Sequence, residues 1–361
     1  MQADRYALII VFEYNQHPEN INAPNTLLSM NKDLESAWDL AVNRFHIPRK
    51  NITILTDIKC NRSYPWDPMR CDECNPKIHR IKHPDIKIII REIAQFIENT
   101  IRDVPECLKG DKDVNELFIY ISGHGGSIPS LKEGNDNALM FTCKKGITRK
   151  YLRDHDIFNL LFGRISVDND GNMTIPITGM EYRISNNGTR YSHYFIENIK
   201  IKITPVNNRL SRGIPFDNHM LMIIDTCNSG EIPKFQYLYE AKHGKMKYLD
   251  NSFTDIFPRC VCLSATQSNN VVSSSLIGSP FTNYIKNIFH ENKKPLTIEE
   301  IHQIIYKNLP PMLILSKPTI TSTSSSEKTL LPLMSHIKYD KDNECGCKLC
   351  GYTKNCQCKN I

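Results

Sequence analysis

Two residues far apart in the chain could act together in catalysis. His124 lies near the end of Leu117–Gly126 (LFIYISGHGG), and Cys227 lies in Leu221–Glu231 (LMIIDTCNSGE). Each segment is a run of apolar residues that stops at small, flexible residues around one reactive side chain. A thiol becomes a good nucleophile when a nearby imidazolium stabilises its thiolate. The two segments together predict a cysteine–histidine dyad.

Each group of the predicted dyad has a defined chemical task. The Cys227 thiolate would attack a carbonyl carbon, and His124 would donate a proton to the departing amine. The backbone N–H groups of Gly125 and Cys227 are the candidate donors for the resulting oxyanion, and one such donor is worth about 3–4 kcal/mol. A side chain at position 125 would crowd this site. Taken alone, either residue could instead be structural, since a lone cysteine is most often a small buried apolar residue.

The elements around these residues must bring them together. Uninterrupted apolar runs suit strands that are buried on both faces of a parallel sheet, and ligands gather beyond the carboxyl ends of such strands. The N-terminal part predicts a strand at Ala7–Phe12, a helix over Thr26–Phe45, a strand at Ile52–Leu55 and a helix over Ile86–Ile101. This alternation predicts an α/β fold with a mostly parallel sheet flanked by helices.

The rest of the chain is less regular. Leu152–Leu161 predicts a helix, whereas residues 163–210 carry hairpin signals such as DNDG and predict a β-rich insertion. The later predictions are a strand at Cys260–Ala265, helices around Phe281–Phe289 and Ile298–Leu309, and a loop at Ser316–Lys328. We therefore expect a domain over residues 1–325 that contains the insertion, followed by a C-terminal segment, residues 326–361, with a cysteine cluster.

Composition excludes several classes of protein. The 361 residues carry a net charge of +6 without a dense stripe of lysine or arginine, which argues against binding to nucleic acid. No segment approaches the ~18 uninterrupted apolar residues of a membrane span, and the first apolar run is too short for a signal peptide. The thirteen cysteines, an odd number, favour reduced thiols, metal ligands or a nucleophile over a disulfide framework. A cytoplasmic protein is the expectation.

The sequence resembles a known family. YISGHGG and DTCNSGE are similar to the histidine and cysteine boxes of caspase-like cysteine peptidases, most closely the metacaspases. The resemblance extends to LLSMNKDLESAWDL (27–40), ITILTD (52–57), CLSATQ (262–267) and GSPFTNY (278–284), and so to most of residues 5–325 outside the insertion. GHGG followed by DTC is also similar to the legumain and GPI-transamidase relatives, which share the fold and the dyad, but the longer match to the first helix and to GSPFTNY favours the metacaspases. The resemblance implies a caspase-like fold and an endopeptidase that works through a thioester acyl-enzyme.

The resemblance also implies a substrate class. Metacaspases accept arginine or lysine in an acidic pocket whose residues match Asp33, Ser122 and Asp225. Two carboxylates would bind a guanidinium well, and Asn22–Lys32 lacks the arginine with which caspases bind aspartate. The expected partners are proteins or peptides with arginine or lysine at the cleavage site. Asp33 could instead be a helix first-turn acid, and Asp225 could be a cap for backbone amides.

Some positions depart from the family pattern. Asn228 follows the nucleophile, where the family has histidine. Arg149 and Lys150 stand where many metacaspases bind calcium through an acidic pair, and since cations cannot ligate calcium we do not expect calcium activation. No cofactor is expected for the chemistry. The alternative function is a catalytically inactive caspase-like interaction or regulatory module.

The other cysteines form two clusters. The first cluster contains Cys60, Cys71, Cys74, His79 and His83, and the second contains Cys345, Cys347, Cys350, Cys356 and Cys358. Structural zinc needs about four thiolate or imidazole ligands in a tetrahedral array. Both clusters are therefore candidate zinc sites, and reduced thiols in loops are the alternative.

Overall fold

In the computed structural model the chain is organised around a large sheet. The structure describes residues 5–14, 27, 30–58, 77–80, 86–102, 115–130, 134–142, 148–162, 166–167, 172–184, 190–202, 219–230, 232, 235–239, 246–249, 259–267, 278–323, 326 and 328–334.

The helices and strands of the first half come in alternation. They are β1 (Arg5–Val11), α1 (Met30–Asp39), β2 (Ile52–Thr56), β3 (Lys77–Arg80), α2 (Ile86–Arg102), β4 (Glu116–Ser122), β5 (Gly125–Pro129), β6 (Asn135–Thr142), β7 (Thr148–Arg153), α3 (Asp154–Phe162), β8 (Ser166–Val167), β9 (Asn172–Ile184) and β10 (Arg190–Lys202). A π-helix over Leu40–Arg44 continues α1.

The second half adds the strand that leads to Cys227 and the helices on its far side. Its elements are β11 (His219–Asp225), β12 (Tyr237–Tyr239), β13 (Met246–Tyr248), β14 (Cys260–Ser264), α4 (Pro280–Glu291), α5 (Ile298–Lys307), α6 (Pro311–Ile314) and β15 (Thr319–Ser322).

Nine of the described strands form one sheet in the order β13-β12-β15-β14-β11-β4-β1-β2-β3. All neighbours from β14 to β3 run parallel, and β15, β12 and β13 are antiparallel. The central strands β1 and β4 are buried along their whole length. The prediction of an α/β fold with a mostly parallel sheet flanked by helices is confirmed.

The two faces of this sheet pack in separate cores. Alternate residues of each strand point to opposite faces, and in the central strands the residues on both faces are mostly apolar. Ile119 of β4 joins one core together with α2 and α3, whereas Tyr120 joins a second core together with α1, α4 and α5. The continuous apolar runs of the sequence follow from this burial on both sides.

A second, antiparallel sheet follows His124 along the chain. Its order is β10-β9-β7-β6-β5, and β8 pairs with β9. Within residues 163–210 lie β8 and the long hairpin of β9 and β10. Its apolar side, which includes Ile175, Ile177 and Phe195, packs in the same core as α2 and α3.

Several local predictions differ from the structure. Ser316–Lys328, predicted as a loop, contains β15, because Thr319–Ser322 is a β-branched segment that pairs with β14 on one side and β12 on the other. Leu152 and Arg153 belong to β7, and the predicted helix starts only at Asp154. Leu27 lies outside α1, which begins at Met30.

Parts of the chain lie outside the description. The predicted zinc clusters fall there, except that His79 belongs to β3. Among the described helices, none combines the length and apolar character that crossing a membrane would need.

Candidate active site

The two reactive residues follow neighbouring strands at the same level of the sheet. β4 and β11 pair in parallel, and the last pair of the register is Ser122 with Asp225. His124 and Cys227 each come two residues later. The N–H of Gly123 donates to the carbonyl of Asp225 over 3.4 Å, which continues the pairing to the edge of the site. The structure therefore brings the two segments together at the carboxyl edge, as the sequence predicts for parallel strands.

The backbone around Gly125 touches the backbone of Cys227. A Cβ atom on Gly125 would overlap the carbonyl oxygen of Cys227 and would lie 2.9 Å from Oγ1 of Thr226. No L side chain fits in this contact without movement of the cysteine loop. His124 and Cys227 are both partly exposed, so a ligand could reach them from solvent.

The N–H of Gly125 points away from the second sheet. The N–H of Met140 donates to the carbonyl of His124 over 2.9 Å, which makes these two residues a hydrogen-bonded pair of the antiparallel ladder. The next pair, Gly125 with Leu139, is then of the non-hydrogen-bonded kind. In such a pair each N–H points away from the partner strand. The N–H of Gly125 therefore points to the side of β5 that does not face β6.

The loop that carries Cys227 is held by hydrogen bonds. The N–H of Ser229 donates to Oγ1 of Thr266, the N–H of Thr266 donates to the Ser229 hydroxyl, and Oγ1 of Thr266 donates to the carbonyl of Thr226, all over 3.1–3.3 Å. Asn228 has φ = 55°, a left-handed conformation that asparagine tolerates better than most side chains. The departure from the family pattern at position 228 thus suits the local backbone.

His124 packs against a tyrosine that follows β1. The rings of Tyr14 and His124 are stacked, with centroids 5.0 Å apart and planes 28° from parallel. The Tyr14 hydroxyl accepts from the N–H of His124 over 3.2 Å and donates to the carbonyl of Met140 over 2.9 Å. The hydroxyl therefore bridges a ladder position at which the two backbones would otherwise bond directly.

Tyr14 is itself held in an unusual conformation. Its φ is 60°, in the left-handed region, and the carboxylate of Asp57 accepts from the N–H groups of Glu13 and Tyr14 over 2.7 and 2.8 Å. Burial raises the pKa of Asp57 to about 6. On the other side, a Cβ on Gly123 would lie 2.7 Å from the Tyr14 hydroxyl oxygen, so this approach needs glycine there.

A pair of buried carboxyl groups lies next to the strand ends, on the side of α1 and α4. Asp33 of α1 is 1% exposed. Its Oδ1 accepts from the N–H of Ser279 over 2.7 Å, and its Oδ2 accepts from the Ser122 hydroxyl over 3.1 Å. Ser122 also lies 3.4 Å from the carbonyl oxygen of Asp225, and so links the two acidic residues.

Asp225, 3% exposed, completes the pair. Its Oδ2 accepts from the Thr282 hydroxyl of α4 over 2.5 Å, and the Tyr120 hydroxyl lies 2.6 Å from the same Thr282 oxygen. Its Oδ1 is buried and makes no hydrogen bond among the described residues, while the Ser279 hydroxyl and the Thr282 N–H also interact with the carboxylate and oppose the rise in its pKa. A buried acceptor without a donor is costly, by about 1–3 kcal/mol, and a cationic donor would relieve that cost.

The acidic pair carries less charge than two free carboxylates would. Burial and the neighbouring Asp225 raise the pKa of Asp33 to about 7. Burial also raises the pKa of Asp225. Two like charges this close disfavour full ionisation, so the pair favours either a retained proton or a bound cation.

Sequence reasoning missed several residues of this region. Three of them lie beside the acidic pair, namely Thr282, Ser279 and Gly278. Gly278 has φ = 98°, and a Cβ atom built on it would lie only 2.8 Å from Oδ1 of Asp33. The family resemblance covers the segment GSPFTNY but assigns no roles to its residues. Tyr14 gives no signal in the sequence, and Asp57 is visible there only as the last residue of ITILTD, because the importance of both comes from contacts with distant residues.

Lys150 of β7 contacts two carboxylates of the second sheet. Lys150 is only 16% exposed, and its Nζ lies 2.9 Å from Glu197 and 3.7 Å from Glu181. It also lies 4.9 Å from the ring centroid of Phe195. A lysine therefore supplies the positive charge between these carboxylates.

The comparisons with known proteins found similar solved structures. No family model matches the chain, and no curated protein sequence matches it. A solved structure of protein GSU0716 from Geobacter sulfurreducens is similar over 92% of this chain and 100% of its own, with 14% identity and a TM-score of 0.49. Caspase-1 from Spodoptera frugiperda is similar over 93% of this chain and 92% of its own, with 12% identity and a TM-score of 0.40. At these identities and TM-scores, neither neighbour's activity transfers to this chain.

Proposed function

We propose that the protein is a cysteine endopeptidase of the caspase-like, most nearly metacaspase, type that cleaves after arginine or lysine. The contact between Gly125 and Cys227 at the ends of β4 and β11 is the main support, since it brings the histidine and cysteine segments together. The buried acidic pair beside that contact supports the choice of substrate.

The proposed reaction uses groups of this chain alone. The thiolate of Cys227 attacks the scissile carbonyl carbon, and the N–H groups of Gly125 and Cys227 stabilise the oxyanion. The imidazolium of His124 gives its proton to the leaving amine, which leaves a thioester on Cys227. Water, deprotonated by His124, then attacks the thioester and restores the thiol–imidazole pair. The outward direction of the Gly125 N–H is what an oxyanion donor needs.

The acidic pair would select the residue before the scissile bond. Oδ1 of Asp225 lacks a hydrogen bond among the described residues, and burial together with Asp225 raises the pKa of Asp33. A guanidinium or ammonium group would supply both the missing donors and the missing positive charge. An aspartate side chain would add a third negative charge and be rejected.

The first test compares the wild-type protein with Cys227→Ala on fluorogenic peptides that end in arginine, lysine or aspartate. We expect cleavage after arginine and lysine by the wild type and none by the variant. Equal residual activity in both proteins would contradict the proposal and favour the inactive interaction module. A preference for aspartate would leave the peptidase in place and refute the role of Asp33 and Asp225.

A further inference from the structure

A buried aromatic ring covers one face of the histidine of the dyad. Tyr14 is 4% exposed and stacks on His124 at 5.0 Å and 28°. The proposed chemistry uses the imidazole, the thiol and two backbone N–H groups, and leaves this ring without a role. Its position follows from β1, the neighbour of β4 in the sheet.

Hydrogen bonds as well as packing hold the ring of Tyr14 in place. Asp57, which follows β2, bonds to two successive N–H groups at Glu13 and Tyr14. The Tyr14 hydroxyl then bridges the N–H of His124 and the carbonyl of Met140. The tyrosine is thus tied at its backbone and at its hydroxyl, and the ring face between these two points lies on the imidazole.

We propose that Tyr14 is a positioning residue whose ring face orients the imidazole of His124 and stabilises its protonated form. This inference rests on the proposed cysteine peptidase function. The face of an aromatic ring is electron-rich and attracts a cation that stacks on it. An imidazolium is the partner that the Cys227 thiolate needs, so stabilising it also favours the reactive thiolate.

Among the residues that the structure describes, several titratable groups lie around Tyr14 and the dyad. Burial raises the pKa of the Tyr14 phenol, so the ring stays neutral in the working range, and both Asp57 and Tyr151 add to that shift. Asp57 bonds to backbone N–H groups at Glu13 and Tyr14. The acidic pair of Asp33 and Asp225 bonds to hydroxyl and backbone groups on the side of α1 and α4. Cys227 belongs to the dyad itself.

The experiment varies the electron density of the ring at nearly constant shape. In the full-length protein with Cys227→Ser, residue 14 is made phenylalanine and then mono-, tri- and pentafluorophenylalanine. The pKa of His124 is followed by NMR with labelled histidine and is assigned with His124→Gln. We expect the pKa to fall with each step, by about half a unit to one unit over the series.

The same series with Cys227 intact gives a kinetic readout. As fluorine is added, kcat should fall and the alkaline limb of its pH profile should move to lower pH, because the imidazolium loses its proton more easily. KM for an arginine peptide should stay constant. A matched control places the same fluorinated residues at Phe45, a fully buried ring in the other core. There we expect the His124 pKa and kcat to stay unchanged.

A flat His124 pKa across the series at position 14 would overturn the proposal, as would an equal shift at position 45. If the pentafluorinated protein does not fold, the mono- and trifluorinated members still define the slope. Because the NMR titration needs no substrate, it is read independently of peptidase activity. A wild type without activity would refute the proposed function alone.

Discussion

The two glycines that flank His124 are required by different neighbours. Gly123 makes room for the Tyr14 hydroxyl, and Gly125 makes room for the carbonyl of Cys227. The sequence indicates only that a side chain at position 125 would crowd an oxyanion donor. The structure adds that this glycine is also the point at which the two halves of the site touch.

Gly125→Ala should therefore damage the site more than its small size suggests. The added methyl group would overlap the carbonyl oxygen of Cys227, so the cysteine loop must move. We expect kcat/KM to fall at least about 100-fold, because loss of one oxyanion donor alone costs about 10²–10³. Gly126→Ala is the matched control, since its Cβ would meet the ring of Tyr151, at 3.0 Å from the nearest carbon. Similar activities in the two variants would contradict this account.

Asp33→Asn should raise the free energy of unfolding and lower the peptidase activity. The folded protein holds the proton of Asp33 up to a pKa of about 7, against an ordinary value of 3.8. The stability that this proton contributes is therefore fully present below about pH 4 and is lost as the pH rises through about 7. We expect the variant to be more stable than the wild type by roughly 1–3 kcal/mol at pH 8, with a smaller difference at pH 5.

Urea denaturation at pH 8 and pH 5 measures this difference in stability. In an activity assay, Asp33→Asn should cleave an arginine peptide at least tenfold more slowly than the wild type. Glu35→Gln is the control, because Glu35 is a partly exposed acid of the same helix that pairs with Lys32. It should change stability by less than about 0.5 kcal/mol. If Asp33→Asn is destabilised at pH 8, the buried carboxyl is not the strained group that its environment indicates.

At the scale of elements, a buried ion pair ties the beginnings of β1 and β4 together. Arg5 and Glu116 are 2.7 Å apart and almost fully buried. Arg5 also donates to the carbonyl of Phe45 over 2.5 Å, and Glu116 accepts from the N–H of Leu333 over 3.0 Å. The pair lies at the amino ends of the strands, opposite to His124 and Cys227.

Breaking the ion pair of Arg5 and Glu116 should lower the free energy of unfolding without changing kcat. Glu116→Leu leaves the Arg5 charge buried without its partner, and we expect a loss of about 3–5 kcal/mol in the free energy of unfolding. The double variant with Arg5→Met should lose less than the single variant, because both charges are removed. Urea denaturation gives the double-mutant cycle, and kcat below the unfolding transition should stay within about twofold of the wild type if the two ends of the sheet are independent.

The strands that surround the site could be predicted better than the strands at the sheet edge. β1, β2, β4, β11 and β14 have apolar runs that are visible in the sequence, and in the structure each begins within two residues of its predicted start. β12 and β15 lie in polar or Ser/Thr-rich segments. Their strand structure depends on each other, since Leu238 pairs with Thr321 across the two strands.

At the scale of the whole molecule, two short strands of the same chain extend the large sheet beyond β15. β15 lies beside β14, and its outer edge pairs with β12, which in turn pairs with β13. β13 is a strand of three residues, Met246–Tyr248, and offers few backbone groups to another chain. The edge of β15 that faces away from β14 is thus occupied by strands of the same chain.

We therefore expect a monomer in solution at micromolar concentrations. Light scattering coupled to size-exclusion chromatography should give the mass of one chain, 41.6 kDa. A stable dimer that survives dilution would contradict this expectation. In that case Tyr248→Lys, a change at the exposed outer strand, would separate pairing at this edge from pairing elsewhere.

The sequence by itself determined the central strands, most helices and the two boxes that hold His124 and Cys227, because periodicity and strand-end glycines are local signals. Asp33 and Asp225 were predicted only through the family resemblance. That resemblance did not predict that both are buried or that the pKa of Asp33 is raised. Only the tertiary structure decided that Tyr14 stacks on His124, that Thr282 of α4 bonds to Asp225, and that β12 pairs with β15. Each of these depends on contacts between segments far apart in the chain, for which no local pattern exists.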